Sequence, residues 1–154
     1  MIKFIRGEFT DSQVETIEEP VKFHKQVFNF RLSTVSLEKL GDVCQKQHKE
    51  DVVNFFSWIY SGIANNKFSI KNILKELGVK EEDFESKSGK NGLISDFKKL
   101  FEDDDSKEFR IVVEEKEVKI HKFVLIARTD LFRGMFLNVV DDSNFVGEYS
   151  ASVL

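Results

Sequence analysis

Val118-Lys-Ile-His-Lys-Phe-Val-Leu-Ile-Ala-Arg128 restates Val21-Lys-Phe-His-Lys-Gln-Val-Phe-Asn-Phe-Arg31, with six of eleven positions identical and an offset of 97 residues (121 minus 24 for the two histidines). In both stretches a short β-branched run is followed by His-Lys and then by apolar spacing of helical period, so each reads as a strand running into a helix. A shared structural context at a fixed offset is the signature of a duplicated unit. The segments around the two stretches therefore decide the fold.

Ahead of the second stretch, Phe109 to Val113 and Glu117 to Ile120 read as two strands joined through Glu114-Glu115-Lys116, a hairpin with a polar connection. Behind it, Val124, Ala127, Leu131 and Met135 fall along one side of a helix with Leu125, Phe132 and Phe136 beside them, a broad apolar face that predicts burial. A last strand is expected at Val146 to Tyr149. Ahead of the first stretch, Lys3 to Glu8 reads as a strand, and Pro20 sets where the strand Val21 to Phe23 can begin.

Between the two copies the pattern is helical. Leu37, Leu40, Val43 and Cys44 share a face, and Asp51 to Tyr60 repeats it with Val52, Phe55, Phe56 and Ile59 before Ser61-Gly62 stops the helix. Ile70, Ile73, Leu74 and Leu77 make another stripe, with Gly78 where a helix commonly ends in a left-handed residue. From Lys80 to Gly92 apolar residues nearly vanish, and residues 86–92 read as a linker between a first unit, 1–85, and a second, 93–154. Leu93, Ile94, Phe97, Leu100 and Phe101 then give one more helical face, and the acids Glu102 to Asp105 read as a solvated loop.

Composition narrows the function classes. The 154 residues suit one ordinary domain or two small ones, and 41% hydrophobic content supports a packed core. Sixteen Phe, each burying on the order of 150–250 Å², place aromatic rings first in that core. With 23 basic and 27 acidic side chains intermingled and a net charge of -4, the chain lacks the concentrated positive field that phosphate binding requires, so nucleic acid is a disfavoured partner. One cysteine, Cys44, permits no internal disulfide, no apolar run approaches the ~20 residues of a membrane span, and the opening Met-Ile-Lys-Phe-Ile-Arg lacks a signal peptide's apolar stretch; cytosol or nucleus is expected.

Phe109-Arg-Ile-Val-Val, the stretch from Val118 to Arg128 followed by Thr129, and Leu131-Phe-Arg-Gly-Met-Phe136 together resemble the opening of a BTB/POZ domain. The family's usual form is a hairpin, His-Lys or His-Arg, Val-Leu-x-Ala-Arg-Ser and Phe-x-x-Met-Phe. Thr129 stands at the usual Ser, and Glu108 where an Asp commonly precedes the first strand, a departure that weakens any claim on the family's charged groove. The resemblance covers about residues 93 to 150.

The family's later helix, ending in Tyr-Thr/Ser-Gly, has its likeness in the first copy, where Phe55-Phe-Ser-Trp-Ile-Tyr-Ser-Gly62 is similar to it and Phe68 to Val79 to the helix after it. The first copy resembles a degenerate BTB unit, shortened between Arg31 and Val52 where a third strand and a helix would stand. The second resembles the front half of another. The implied fold is α+β and mostly helical, short β-hairpins and a small sheet beside a helical bundle.

What the resemblance implies is protein interaction: a homodimer or a heterotypic BTB partner, and service as a substrate adaptor for a cullin-based ubiquitin ligase. Carried over by position, Leu93, Ile94, Phe97, Leu100 and Phe101 form the dimer or partner face, with packing inside the chain as the alternative. His121, Lys122, Val124, Leu125, Arg128, Phe132, Met135 and Phe136 carry the family's junction motif. A front half alone is expected to expose Leu125, Phe132 and Phe136. Two other readings stay open, a nucleic-acid-binding module and an inactive fragment of a longer multidomain protein.

No catalytic, metal or cofactor site is expected. His24 and His121 recur at strand ends without a carboxylate or thiol pattern beside them, and are expected to satisfy backbone groups at the junction. Cys44 and His48 are spaced i, i+4, but two further zinc ligands are not evident. Gly89-Lys-Asn-Gly92 lacks the apolar residues that precede a KH-type loop and the spacing of a phosphate-binding loop, and Asp103-Asp-Asp-Ser106 lacks the alternation of a calcium loop.

Overall fold

A computed structural model describes residues 10, 12–113, 116–128, 131–132, 134 and 148–150. The chain divides into two compact units, Met1–Lys98 and Lys99–Leu154.

In the first unit, β1 (Ser12–Val14) pairs antiparallel with β2 (Val21–Phe23), Ser12 opposite Phe23 and Val14 opposite Val21. The strand expected at Lys3 to Glu8 lies outside the described residues. Helices follow: α1 (Lys25–Arg31), α2 (Leu37–Cys44), α3 (Lys49–Ser61), α4 (Lys67–Glu76), α5 (Glu81–Lys87) and α6 (Gly89–Glu102), the last running past the division between the units.

Local chemistry sets their ends. Ser36 Oγ accepts from Lys39 N–H and Asn66 Oδ1 from Ser69 N–H, each closing a first turn whose amide groups have no helical partner. Gly62 ends α3 at φ 68° and Gly78 follows α4 at φ 76°, left-handed values that cost any residue with a Cβ.

The core is aromatic. Phe28 meets Phe23 edge-on, Phe23 stacks on Phe56 at 4.8 Å, Phe56 meets Phe55, and Trp58 joins Phe55 to Phe84. Around this chain of rings Leu40, Cys44, Val52, Ile59, Ile70 and Ile73 are fully buried. The stripes read from periodicity through Leu40, Val52 and Ile70 are faces that the structure buries.

Between Arg31 and Val52 stand α2 and the start of α3, with no third strand among the described residues. The stretch 86–92 read as a linker is helix, Ser88, helix. Its apolar periodicity is missing because α5 sends only Phe84 inward, while Gly92 lies so close to the preceding helix that a Cβ there would come within 2.5 Å of the Ser86 carbonyl. Asp104–Ser106, within the acidic run, forms a single 3-10 turn.

In the second unit, β3 (Phe109–Val113) and β4 (Lys116–Ile120) are antiparallel, and β5 (Glu148–Ser150) runs parallel to β3, giving the order β4-β3-β5. Residues 146 and 147 of the strand expected at Val146 to Tyr149 lie outside the described residues. Helix α7 (Lys122–Arg128) follows β4.

Strand, buried histidine and a seven-residue helix recur at the same offset as the sequence repeat, since β2 and β4 end at Phe23 and Ile120 and α1 and α7 span Lys25–Arg31 and Lys122–Arg128. The buried side of α7 is Leu125 and Ile126 rather than Val124 and Leu131. Val124 is partly buried, and Leu131, helical like Phe132 and Gly134, is 70% exposed. Leu125, expected on open surface, is therefore enclosed, because α7 turns the side carrying Leu125 and Ile126 inward.

Candidate interaction surface

The His-Lys junction is a docking point in both units. In the first, the Tyr60 hydroxyl accepts the backbone N–H of His24 at 2.7 Å and lies 2.9 Å from His24 Nδ1. Tyr60 belongs to the Trp-Ile-Tyr-Ser-Gly stretch ending α3, so two separate motifs meet in one contact. The partner is a side-chain hydroxyl rather than the backbone group expected.

Arg31, seven residues on, is 1% exposed and makes three directed bonds. Its guanidinium donates to Asp96 Oδ2 at 2.6 Å, to the Lys87 carbonyl at 2.7 Å and to the Ile59 carbonyl at 3.1 Å, and it lies 5.2 Å from the Trp58 ring centre. Burial holds the guanidinium below its ordinary value, against the smaller raising effect of the Asp96 carboxylate. The arrangement fastens α1 to α3, α5 and α6 through groups that each need a partner once dry. Gly62 and Gly89 complete it, Gly89 N–H donating to the Gly62 carbonyl at 2.7 Å.

In the second unit, buried His121 donates from Nε2 to the Leu100 carbonyl at 2.9 Å, the backbone role expected of it, and its ring lies between Phe101 and Phe123. Its Nδ1 lies 3.6 Å from Glu108 Oε2, while Glu108 Oε1 accepts the Lys122 N–H at 2.9 Å. Glu108 thus braces the first turn of α7, where an anionic side chain also suits the helix dipole.

The proposed interface residues divide by exposure along α6. Ile94 and Phe101 are 52% and 47% exposed, Leu93 and Phe97 are partly buried, and Leu100 is 1% exposed. Leu100 therefore serves the core, not the surface. Of the junction residues, Lys122 is exposed, Val124 and Phe132 are partly buried, and Met135, Phe136 and the side chain of Arg128 lie outside the described part.

Residues 97–151 match the BTB/POZ domain family. No curated protein matches the chain. The matched segment holds β3, β4, α7 and β5, and the His121 to Glu108 arrangement lies inside it. BTB/POZ is a protein-interaction family rather than an enzymatic one, so the match supports a protein-interaction module with a mixed α+β fold.

Cys44 is fully buried, its thiol pushed up to about 12 by burial and by Glu76. His48 instead faces solvent, 2.6 Å from Glu18 Oε1, so the i, i+4 pair does not converge on one point. Among the described residues no group of three or more His, Cys, Asp or Glu could hold a metal, and no helix is long and apolar enough to cross a membrane. Sequence reasoning missed Asp96, whose sole signal was a carboxylate on the apolar side of a helical stripe. It also missed Tyr60 as the partner of His24.

Proposed function

We propose that the chain is a self-associating protein-interaction module, that the outward side of α6 carrying Ile94 and Phe101 is its contact face, and that the first unit is a degenerate copy of the second. The observation that carries the reading is the pair of half-exposed apolar side chains at i and i+7 on one helix, beside a segment that matches an interaction family. Residues seven apart lie on one side of a helix, and apolar surface left in water there loses about 25 cal/mol per Å² relative to burial. The copy relation is supported by the recurrence of strand, buried histidine and seven-residue helix at an offset of 97 (121 minus 24). Service as a cullin adaptor rests on the family resemblance alone, and a single buried thiol fits the reducing cytosol or nucleus.

Disulfide trapping tests the face. Because Cys44 is enclosed, Ile94→Cys supplies the one accessible thiol, and mild oxidation is expected to yield a covalent dimer on a non-reducing gel. Glu85→Cys, at an exposed site on α5, is expected to give far less. Equal yields from the two variants would remove α6 as the contact face.

A further inference from the structure

The first unit carries a second surface of different chemistry. Where α4 ends, Gly78 N–H and Val79 N–H turn back to the Lys75 and Leu74 carbonyls, and the chain reverses into α5. The reversal leaves a groove of about 200 Å³ with Leu74, Val79 and Phe84 as its floor and Lys71, Asn72, Lys75, Lys80 and Glu81 around it. Phe84 is held from beneath by Trp58, so the floor is braced by the aromatic core. One turn before Asn72 on the same helix, Phe68 stands 77% exposed.

The charges around the groove are unequal. Lys71 is engaged, by Glu81 at 2.5 Å and Glu85 at 3.2 Å, and its ammonium lies 5.3 Å from the Phe84 ring centre. Lys75 and Lys80 are exposed and in no ion pair among the described residues. Outside the groove's lining, Lys39 of α2 approaches the turn, its ammonium 3.0 Å from where a Cβ on Gly78 would stand. Glu76, next to Lys75 in sequence, accepts a hydrogen bond from Gln47, and Glu81, next to Lys80, is paired with Lys71. Two ammonium groups in no ion pair among the described residues, Lys75 and Lys80, thus border an apolar floor in a chain whose net charge is -4.

We propose that this groove binds an acidic peptide segment of a partner protein, one aliphatic side chain seated on Val79 and flanking carboxylates paired with Lys75 and Lys80. Charge complementarity carries the assignment, since a floor of this size takes one leucine-sized group and the free cations supply both steering and register. A nucleic acid fits less well, because the positive surplus is confined to one groove and the rest of the chain repels a polyanion. The proposal rests on the interaction-module reading for its context, but it uses neither α6 nor the second unit.

The test is fluorescence anisotropy of the full chain with a labelled Asp-Asp-Leu-Asp-Asp peptide at low salt, with the chain's solution mass measured in parallel. Saturable binding is expected, weakened by about tenfold or more in Lys75→Glu/Lys80→Glu and by added salt, and unchanged in Lys22→Glu/Lys25→Glu. Replacing the peptide's leucine by aspartate is expected to weaken it as well. No saturable binding, equal binding by the charge-reversed groove, or tighter binding of a single-stranded oligonucleotide of equal charge would overturn the proposal. A self-associating chain that ignores the peptide would sink the groove alone, whereas a monomer that binds it would sink the α6 interface alone.

Discussion

Replacing Arg31 by methionine removes the guanidinium that joins α1 to three other helices while nearly keeping the side chain's length. The Asp96 carboxylate, 8% exposed, would be left with Lys87 Nζ at 3.4 Å, and the Ile59 and Lys87 carbonyls would each lose a donor. Removing one partner of a buried pair costs about 3–5 kcal/mol. Against a total of about 5–15 kcal/mol for a domain, that is at least about a fifth of the stability. For a unit of about 100 residues it lowers the melting temperature by at least ~12 °C. Asp96→Asn keeps the shape and the two carbonyl bonds, so its cost is nearer that of one charged hydrogen bond, about 1.5–3 kcal/mol. The double variant strands no charge and is expected to cost less than the sum of the singles. Urea unfolding followed by tryptophan fluorescence reads this directly, because Trp58 is the chain's only tryptophan and lies against the guanidinium. A cost for Arg31→Met below about 1 kcal/mol, or strict additivity in the double variant, would refute the argument.

Three further outcomes follow from local geometry. Gly62→Ala is expected to destabilise the first unit by more than the ~1–2 kcal/mol of a left-handed L-residue, since its Cβ would stand 2.6 Å from the Gly89 carbonyl; urea midpoints measure it, and a neutral result would contradict the close approach. Cys44, enclosed and with its thiol pushed up to about 12, is expected to react with a chromogenic disulfide reagent only on unfolding, so fast labelling of native protein would contradict its placement. In an NMR titration His48 is expected above the ordinary 6.5, raised by its bond to Glu18, and to return towards it in Glu18→Gln. Because His48 is raised and Glu18 lowered, their pairing is complete between the ordinary values, fading as pH climbs through the His48 midpoint or falls through that of Glu18. An unchanged His48 midpoint in Glu18→Gln would show that the pair does not form.

Much of the architecture was legible because amphipathic periodicity depends on neighbours three and four residues away. The stripes through Leu40, Val52, Ile70 and Leu100, and the stops at Gly62 and Gly78, are local signals that tertiary packing then used. The stretch from Glu81 to Gly92 escaped because its helicity depends on a single inward residue, Phe84, and on backbone approach at Gly92, neither of which makes a period. The roles of His24 and Arg31 were visible as a repeat, but their partners Tyr60 and Asp96 lie 36 and 65 residues away, distances at which spacing carries no information. Leu131 was placed on the buried side of its helix, where periodicity gives a stripe but not the rotation that decides which edge of it meets the core.

Self-association through α6 is read by absolute mass from light scattering on a size-exclusion column, across a range of loading concentrations. Twice the 17.9 kDa chain mass is expected for the intact protein and a soluble single-chain mass for Ile94→Asp/Phe101→Asp. A mass of 17.9 kDa for the intact chain at every concentration would contradict it.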